Sequence, residues 1–190
     1  MKFLKDFALF ESEERNRFLK IPDFLDKIGI RPEKHERIIN WWNEHRGDIK
    51  ILYFPFSSPN PILGCFLEEN IVCINSKVGS PPHIKLFISL HESRHCDQHE
   101  NGIFMDGYFK TVLNDEKEEF LRAYRRLEKD ANDFAINSMR TIGFEKEMNQ
   151  EESRLRGNEN FGNVVYGMMK HDISRFEPND FFDLLKSQVY

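Results

Sequence analysis

From Phe3 to Lys20, charged residues are interspersed with spaced Phe and Leu in a loose helical rhythm that ends before Pro22. Pro22 opens a short helix to Ile28 with Gly29 behind it, and Pro32 opens a longer one to about Arg46 with Gly47 as its stop. Ile38, Ile39, Trp41 and Trp42 supply the apolar face of that second helix. The rhythm then changes. Ile49 to Phe54 is rich in β-formers, Pro55 to Pro61 is a loop of Pro, Ser and Asn, and the apolar runs Ile62 to Leu67 and Ile71 to Asn75 flank Glu68-Glu69-Asn70. A strand followed by a hairpin is expected.

Past Gly79-Ser80-Pro81-Pro82 the spacing is helical again, with Ile84, Phe87, Ile88, Leu90 and His91 recurring through His83 to His99 and Ser80 placed to cap the start. Asn101 to Asn114 holds Gly102 and Gly107 and reads as a loop. A strong helical pattern runs from Asp115 to about Thr141 and stops at Gly143. Three weaker helical stretches follow, Glu145 to Arg156, Asn160 to His171 and Asn179 to Gln188. With no internal repeat and no dividing linker, the pattern predicts one α+β domain, mostly helical with a small three-stranded antiparallel or mixed sheet. Its parts are N-terminal helices over 1–47, a core over 48–143 and a helical cap over 144–190.

Composition narrows the function classes. The 190 residues carry 27 Lys+Arg against 32 Asp+Glu, a net charge of -5, so no basic field favours direct contact with nucleic acid. No apolar run reaches the roughly 18 residues of a membrane span, and Met1 to Phe10 is broken by Lys5 and Asp6. Three cysteines, Cys65, Cys73 and Cys96, fit no disulfide framework and point to a reduced, cytoplasmic protein. The 18 Phe residues imply an aromatic-rich core.

Chemistry concentrates at His91-Glu92-Ser93-Arg94-His95, an H-E-x-x-H pentapeptide within the predicted helix. Composition alone yields roughly 0.03 such matches in a chain of this length. At about 100° per residue, positions four apart share a face one turn apart, so two imidazoles can bind one Zn²⁺. Glu92 then lies beside the metal, where it can take a proton from zinc-activated water and return it to a leaving amine. A third ligand is needed, and the later helix offers an acid: Glu128 and Asn132 are four apart, with small Ala131 and Ala135 allowing close approach. Glu128 can complete a His₂Glu site, and Asn132 can hydrogen-bond a ligating histidine and fix its tautomer. Asp130 competes as third ligand, but it points about 200° away from Glu128, so only one of the two can face the metal. His99 extends the histidine stripe as a candidate further contact, and Cys96 reads as a small buried residue.

Together these segments resemble the zincin metallopeptidases whose third ligand is glutamate, and among them the ImmA/IrrE-like family. The resemblance covers roughly Ile71 to Ala135. It rests on Ile71-Val72-Cys73-Ile74-Asn75, on His91-Glu92-Ser93-Arg94-His95 with His99, and on Glu128-Lys129-Asp130-Ala131-Asn132-Asp133-Phe134-Ala135. It implies zinc bound by His91, His95 and Glu128, Glu92 as general base and Asn132 as the support of a ligating histidine. It also implies a zincin-like core over 48–143 and a protein or peptide substrate, a DNA-binding regulator in the best-known relatives. Ile71 to Asn75 would run along the cleft and hold an extended peptide. Two segments depart from the family, which has Leu-Gly where this chain has Ser93-Arg94 and Leu-Leu-Met-Pro where it has Ile136-Asn137-Ser138-Met139-Arg140.

Other readings stay open at this stage. Gly64-Cys65-Phe66-Leu67 resembles the metal-binding cysteine segment of peptide deformylases, although the glycine-rich deformylase motif is absent. A non-catalytic interaction module with a structural or decayed zinc site is the alternative function, and it calls for four protein ligands, with His99 or Cys96 added. Tyr108, Tyr124, Tyr166 and His171 are the candidates for stabilising an oxyanion.

Overall fold

The computed structural model describes residues 18–55, 63–67, 70–102 and 110–173. Helix α1 (Ile21–Ile28) turns its Ile21, Phe24, Leu25 and Ile28 inward. It ends at Gly29, whose φ of 81° lets its N–H reach back to the Leu25 and Asp26 carbonyls. A 3₁₀ turn at Pro32–Lys34 leads into α2 (His35–Arg46), which buries Ile38 and Trp42. The expected first helix lies outside the described residues except for its end. There Leu19 pairs with Ile51 in an isolated antiparallel bridge, so the chain enters α1 extended instead of helical.

Strands β1 (Lys50–Phe54), β2 (Gly64–Leu67) and β3 (Ile71–Asn75) form a mixed sheet in the order β1-β3-β2. The predicted hairpin is β2–β3, antiparallel, with Cys65 opposite Cys73 and Phe66 opposite Val72. Asn70 takes a positive φ of 59° at its turn, a conformation its short polar side chain tolerates. β1 joins β3 in parallel, Lys50 opposite Ile71. Because β3 is the middle strand, it cannot offer a main-chain edge to a peptide; among the described residues β2 occupies that edge, which corrects the expectation for Ile71 to Asn75.

Helix α3 (Pro82–Glu100) lies between the sheet and α4 (Lys117–Thr141). Ser80 does not cap it; the helix opens at Pro82 after an extended Pro81 whose carbonyl accepts from Ile84 and Lys85. Burial on several sides explains its many inward residues, Ile84, Leu86, Phe87, Ile88, Leu90 and Cys96 among them. Ser89 and Ser93 are buried too, and each hydroxyl donates to the carbonyl three residues back. Before α4 the chain makes a helical turn over 110–113 where a loop is expected. After α4 come α5 (Glu145–Leu155), a 3₁₀ segment Arg156–Asn160 and α6 (Gly162–Ile173). The expected last helix, Asn179 to Gln188, lies outside the described residues.

The fold is thus α+β and mostly helical. Its principal core joins α1, α2, the inner sheet face, α3 and the C-terminal half of α4 through Phe24, Ile38, Ile51, Ile74, Leu86 and Met139. A smaller cluster of Val112, Phe120, Leu127 and Tyr166 fixes α6 to the N-terminal half of α4. Among the described residues, no helix is long and apolar enough to cross a membrane.

Candidate metal centre

His91 and His95 are one turn apart on α3, and both are buried. Their Nε2 atoms approach to 3.0 Å. Glu128, from the middle of α4, brings Oε2 to 3.3 Å from His91 Nε2 and Oε1 to 3.6 Å from His95 Nε2. One donor atom from each of the three residues lies within 4.8 Å of the others. Two imidazole nitrogens and a carboxylate converging on one point, away from most solvent, could hold a metal ion.

Hydrogen bonding determines the tautomer of His95. The Gln98 amide nitrogen is occupied by two acceptors, the Leu127 carbonyl at 3.2 Å and Asp130 Oδ2 at 2.8 Å. Its carbonyl therefore faces His95 Nδ1, at 2.7 Å, and that nitrogen must carry the proton. Nε2 of His95 is left with a lone pair aimed at Glu128 and His91, the form a metal requires. Burial and the neighbouring His91 together hold His95 neutral, its pKa pushed down to about 4. For His91 burial also opposes charge, but the Glu128 hydrogen bond and the charges of Glu92 and Glu128 outweigh it and raise its pKa. Burial works against ionisation of Glu128 as well, and His91 and His95 reverse that effect, keeping Glu128 a carboxylate.

Asp130 does not join the group. It accepts from Arg94 Nε at 2.9 Å and Nη2 at 3.3 Å as well as from Gln98, so it closes α3 against α4. Arg94 Nη1 also meets Asp97 Oδ2 at 3.1 Å, and Arg46 from α2 grips the same carboxylate at 2.8 and 3.0 Å. The arginine in the variable part of the pentapeptide is therefore a clamp between helices. It also stabilises the bond that fixes His95.

Glu128 is held from the far side by the 3₁₀ segment: Asn158 Nδ2 donates to Oε2 at 2.6 Å. Asn132 secures that segment, its amide donating to Asn158 Oδ1 at 2.8 Å and Glu159 Oε1 at 3.1 Å. Its own Oδ1 is buried without a partner, as is His91 Nδ1. Asn132 nevertheless lies close enough to His91 to favour its charged form. An N–H···O bond between those two atoms would satisfy both.

Glu92 is half-buried beside the group, outside the three-residue set. Burial is the main cause that raises its pKa to about 7, partly opposed by His91. The Phe66 main chain also hydrogen-bonds it. That contact follows from the strand ladder. Asn75 N donates to Leu63 O at 2.9 Å, so narrow and wide pairs alternate and Phe66 opposite Val72 is a wide pair with its main-chain groups turned outward. Gly64 makes the approach possible, since a Cβ there would lie 2.5 Å from Ile88 Cγ2 and 3.3 Å from Glu92 Cγ.

Of the remaining candidates, His99 is half-buried with its ring 6.0 Å from that of Phe66, and Cys96 is buried; neither belongs to the metal group. Cys65 sits on β2 opposite Cys73, also apart from it. Tyr108 lies outside the described residues, and Tyr166 is bonded to Asp115 at 2.7 Å near the other end of α4. Tyr124, one turn before Glu128, is close to it, and its hydroxyl donates to the Asn158 carbonyl at 3.3 Å. Gln98 and Asn158 are the residues sequence reasoning missed. Gln98, three residues past His95 on one helix, carried a positional signal; Asn158, 30 residues from Glu128 in a 3₁₀ turn, carried none.

No protein-family model matches this sequence, and neither a curated protein nor a solved structure matches it.

Proposed function

We propose that this chain is a zinc-dependent metallopeptidase of the zincin type, related to the ImmA/IrrE-like family and hydrolysing a peptide bond in a protein partner. The observation that carries the reading is the meeting of His91 Nε2, His95 Nε2 and the Glu128 carboxylate within 4.8 Å, with Glu92 adjacent on the same helix. When bound there, Zn²⁺ supplies a Lewis acid and a water nucleophile that ionises near neutral pH. His91, His95 and Glu128 hold the ion, and three protein donors are the number a catalytic site uses when it keeps one position open.

Glu92 does the proton work. In the metal-free protein burial raises the pKa of its carboxyl to about 7, and its place beside the three donors suits it to deprotonate the nucleophile and then protonate the leaving amine. Phe66 N–H, donated to that carboxyl, holds it in place and links the base to the sheet edge. A substrate segment can lie extended along β2, pairing with the outward main-chain groups that Glu92 does not occupy. Of the candidates for the oxyanion, Tyr124 is favoured because its hydroxyl lies beside Glu128 and Asn158.

The test is a digest of a proteome-derived peptide library read by mass spectrometry, with zinc content measured on the same samples. The expected result is about one zinc per chain in both the parent and Glu92→Gln, with cleavage only by the parent, at a rate about 10² to 10⁴ times that of the variant. Zinc-loaded parent that cuts no peptide, or a Glu92→Gln protein that cuts as fast, overturns the reading.

A further inference from the structure

We propose that Cys65 and Cys73 form a reversible disulfide site, oxidised by a hydroperoxide, that pins the edge strand β2 to β3. The two residues are direct cross-strand partners, both free thiols, with Cys65 half-buried and Cys73 fully buried. The same alternation that turns Phe66 outward makes Cys65 and Cys73 a narrow, hydrogen-bonded pair. Such pairs have Cα atoms about 5.5 Å apart, inside the range of roughly 4.4 to 6.8 Å that a disulfide spans. Directly opposed residues place their side chains on one face, so neither strand has to turn over for the sulfurs to meet.

The pair lies on the sheet face away from α3. Gly64 and Phe66 face α3, as the contacts of a Gly64 Cβ with Ile88 and Glu92 and the 5.8 Å spacing of the Phe66 and His95 rings establish. Cys65, between them, therefore points to the other face with Cys73. The third cysteine, Cys96, belongs to α3 and sits across the sheet. Oxidation of the pair thus leaves the His91, His95 and Glu128 donors untouched and acts on the strand that holds Glu92.

The chemistry divides between the two thiols. Cys65, the more accessible, attacks the peroxide oxygen as thiolate; the O–O bond breaks, the leaving alkoxide or hydroxide takes a proton, and Cys65 becomes a sulfenic acid. Cys73 is held protonated, chiefly by the adjacent Cys65 thiol and by burial. It attacks the sulfenic sulfur, its proton leaves with the hydroxyl as water, and the S–S bond forms. Two electrons pass from the sulfurs to one peroxide, and a dithiol reductant reverses the step.

The site stands independently of the peptidase reading and is tested on the full, reduced chain treated with stoichiometric hydrogen peroxide. Trypsin releases Ile51 to Lys77 as one fragment containing both cysteines. That fragment is expected to lose two hydrogen masses, to regain them with dithiothreitol, and to behave identically in a Cys96→Ser protein. Cys65→Ser removes the change. Fragment mass is read on the parent chain, so the outcome does not depend on how the variants fold. Accumulation of a sulfinic acid on Cys65 with Cys73 still a thiol, a disulfide-linked dimer, or a bond to Cys96 overturns the proposal.

Discussion

The two walls around His91, His95 and Glu128 are built by different physics. One wall, α3 on the sheet, is placed by burial: Ile84, Leu86, Phe87, Ile88 and Leu90 sit in the principal core with Ile51, Val72 and Ile74. The other wall, α4 with the 3₁₀ segment, shares that apolar packing through Ala135, Ile136 and Met139, but around Glu128 it is oriented by polar side chains. Arg94 and Gln98 meet Asp130, Asn132 and Asn158 meet each other, and Arg156 reaches Asp133 at 2.6 Å and Glu159 at 3.2 Å. Apolar packing is tolerant of small shifts, whereas hydrogen bonds fix direction. The first wall supplies two ligands at a spacing the helix itself guarantees, and the second needs a network because its single ligand has no such guarantee.

The largest way to break that contrast is to remove the ligand of the polar wall. Glu128→Ala is expected to take zinc from about one per chain to none after dialysis against a weak chelator, while the far-UV spectrum of the helices is retained. Undiminished zinc there would assign the third ligand elsewhere.

Removing only the orientation is the next step down. Gln98→Leu leaves the donor atoms but frees His95 to rotate and change tautomer, and it should weaken zinc binding about 10- to 100-fold in a competition titration. If affinity is unchanged, the Gln98 carbonyl is not what sets the imidazole. On the packed wall, Gly64→Val puts a branched side chain into Ile88 and Glu92, and should lower unfolding stability by about 1 to 3 kcal/mol in urea melts.

The smallest effect is on the pH dependence of the metal-free protein. His95, with its pKa pushed down to about 4, binds no proton in the fold where the unfolded chain does, so its contribution makes stability rise with pH up to about 6.5. Glu92, with its pKa raised to about 7, retains a proton in the fold that the unfolded chain has lost above about 4.5, so its contribution falls over much of the same window. The two oppose each other. Glu92→Gln removes the second and should expose a clear rise in stability between pH 4 and 6.5, where the parent is nearly level. A level curve in the variant as well would show that His95 is not held neutral.

The same division decides what the sequence disclosed. Helices α1, α2 and α4, the hairpin and the His91–Glu92–His95 face were legible because periodicity reports burial, and Gly29 marked its helix end by the conformation it alone adopts easily. Glu128 was legible as an acid next to small inward residues, Ala131 and Ala135. The parallel pairing of β1 with β3 was not, since alternation names a strand but not its neighbour, and so an open edge was expected of β3, which lies mid-sheet. Nor was the role of Arg94, whose partner Asp130 lies 36 residues on in another helix. Asn158 was invisible for the same reason: a polar residue in a short 3₁₀ turn has no period to betray which face it shows.

The strand order carries a consequence for how the molecule is made. During synthesis β1 leaves the ribosome first, but its partner β3 follows only after the intervening β2, with Lys50 waiting for Ile71. At roughly 5 to 20 residues per second that is an interval of about 1 to 4 seconds, during which Ile51 has only earlier parts of the chain, Leu19 and the apolar faces of α1 and α2, to pack on. Glu128 emerges later still, and Asn158 after it. A nascent chain therefore completes its sheet well before His91, His95 and Glu128 can meet, and among the contacts of that group the Glu128–Asn158 bond comes late.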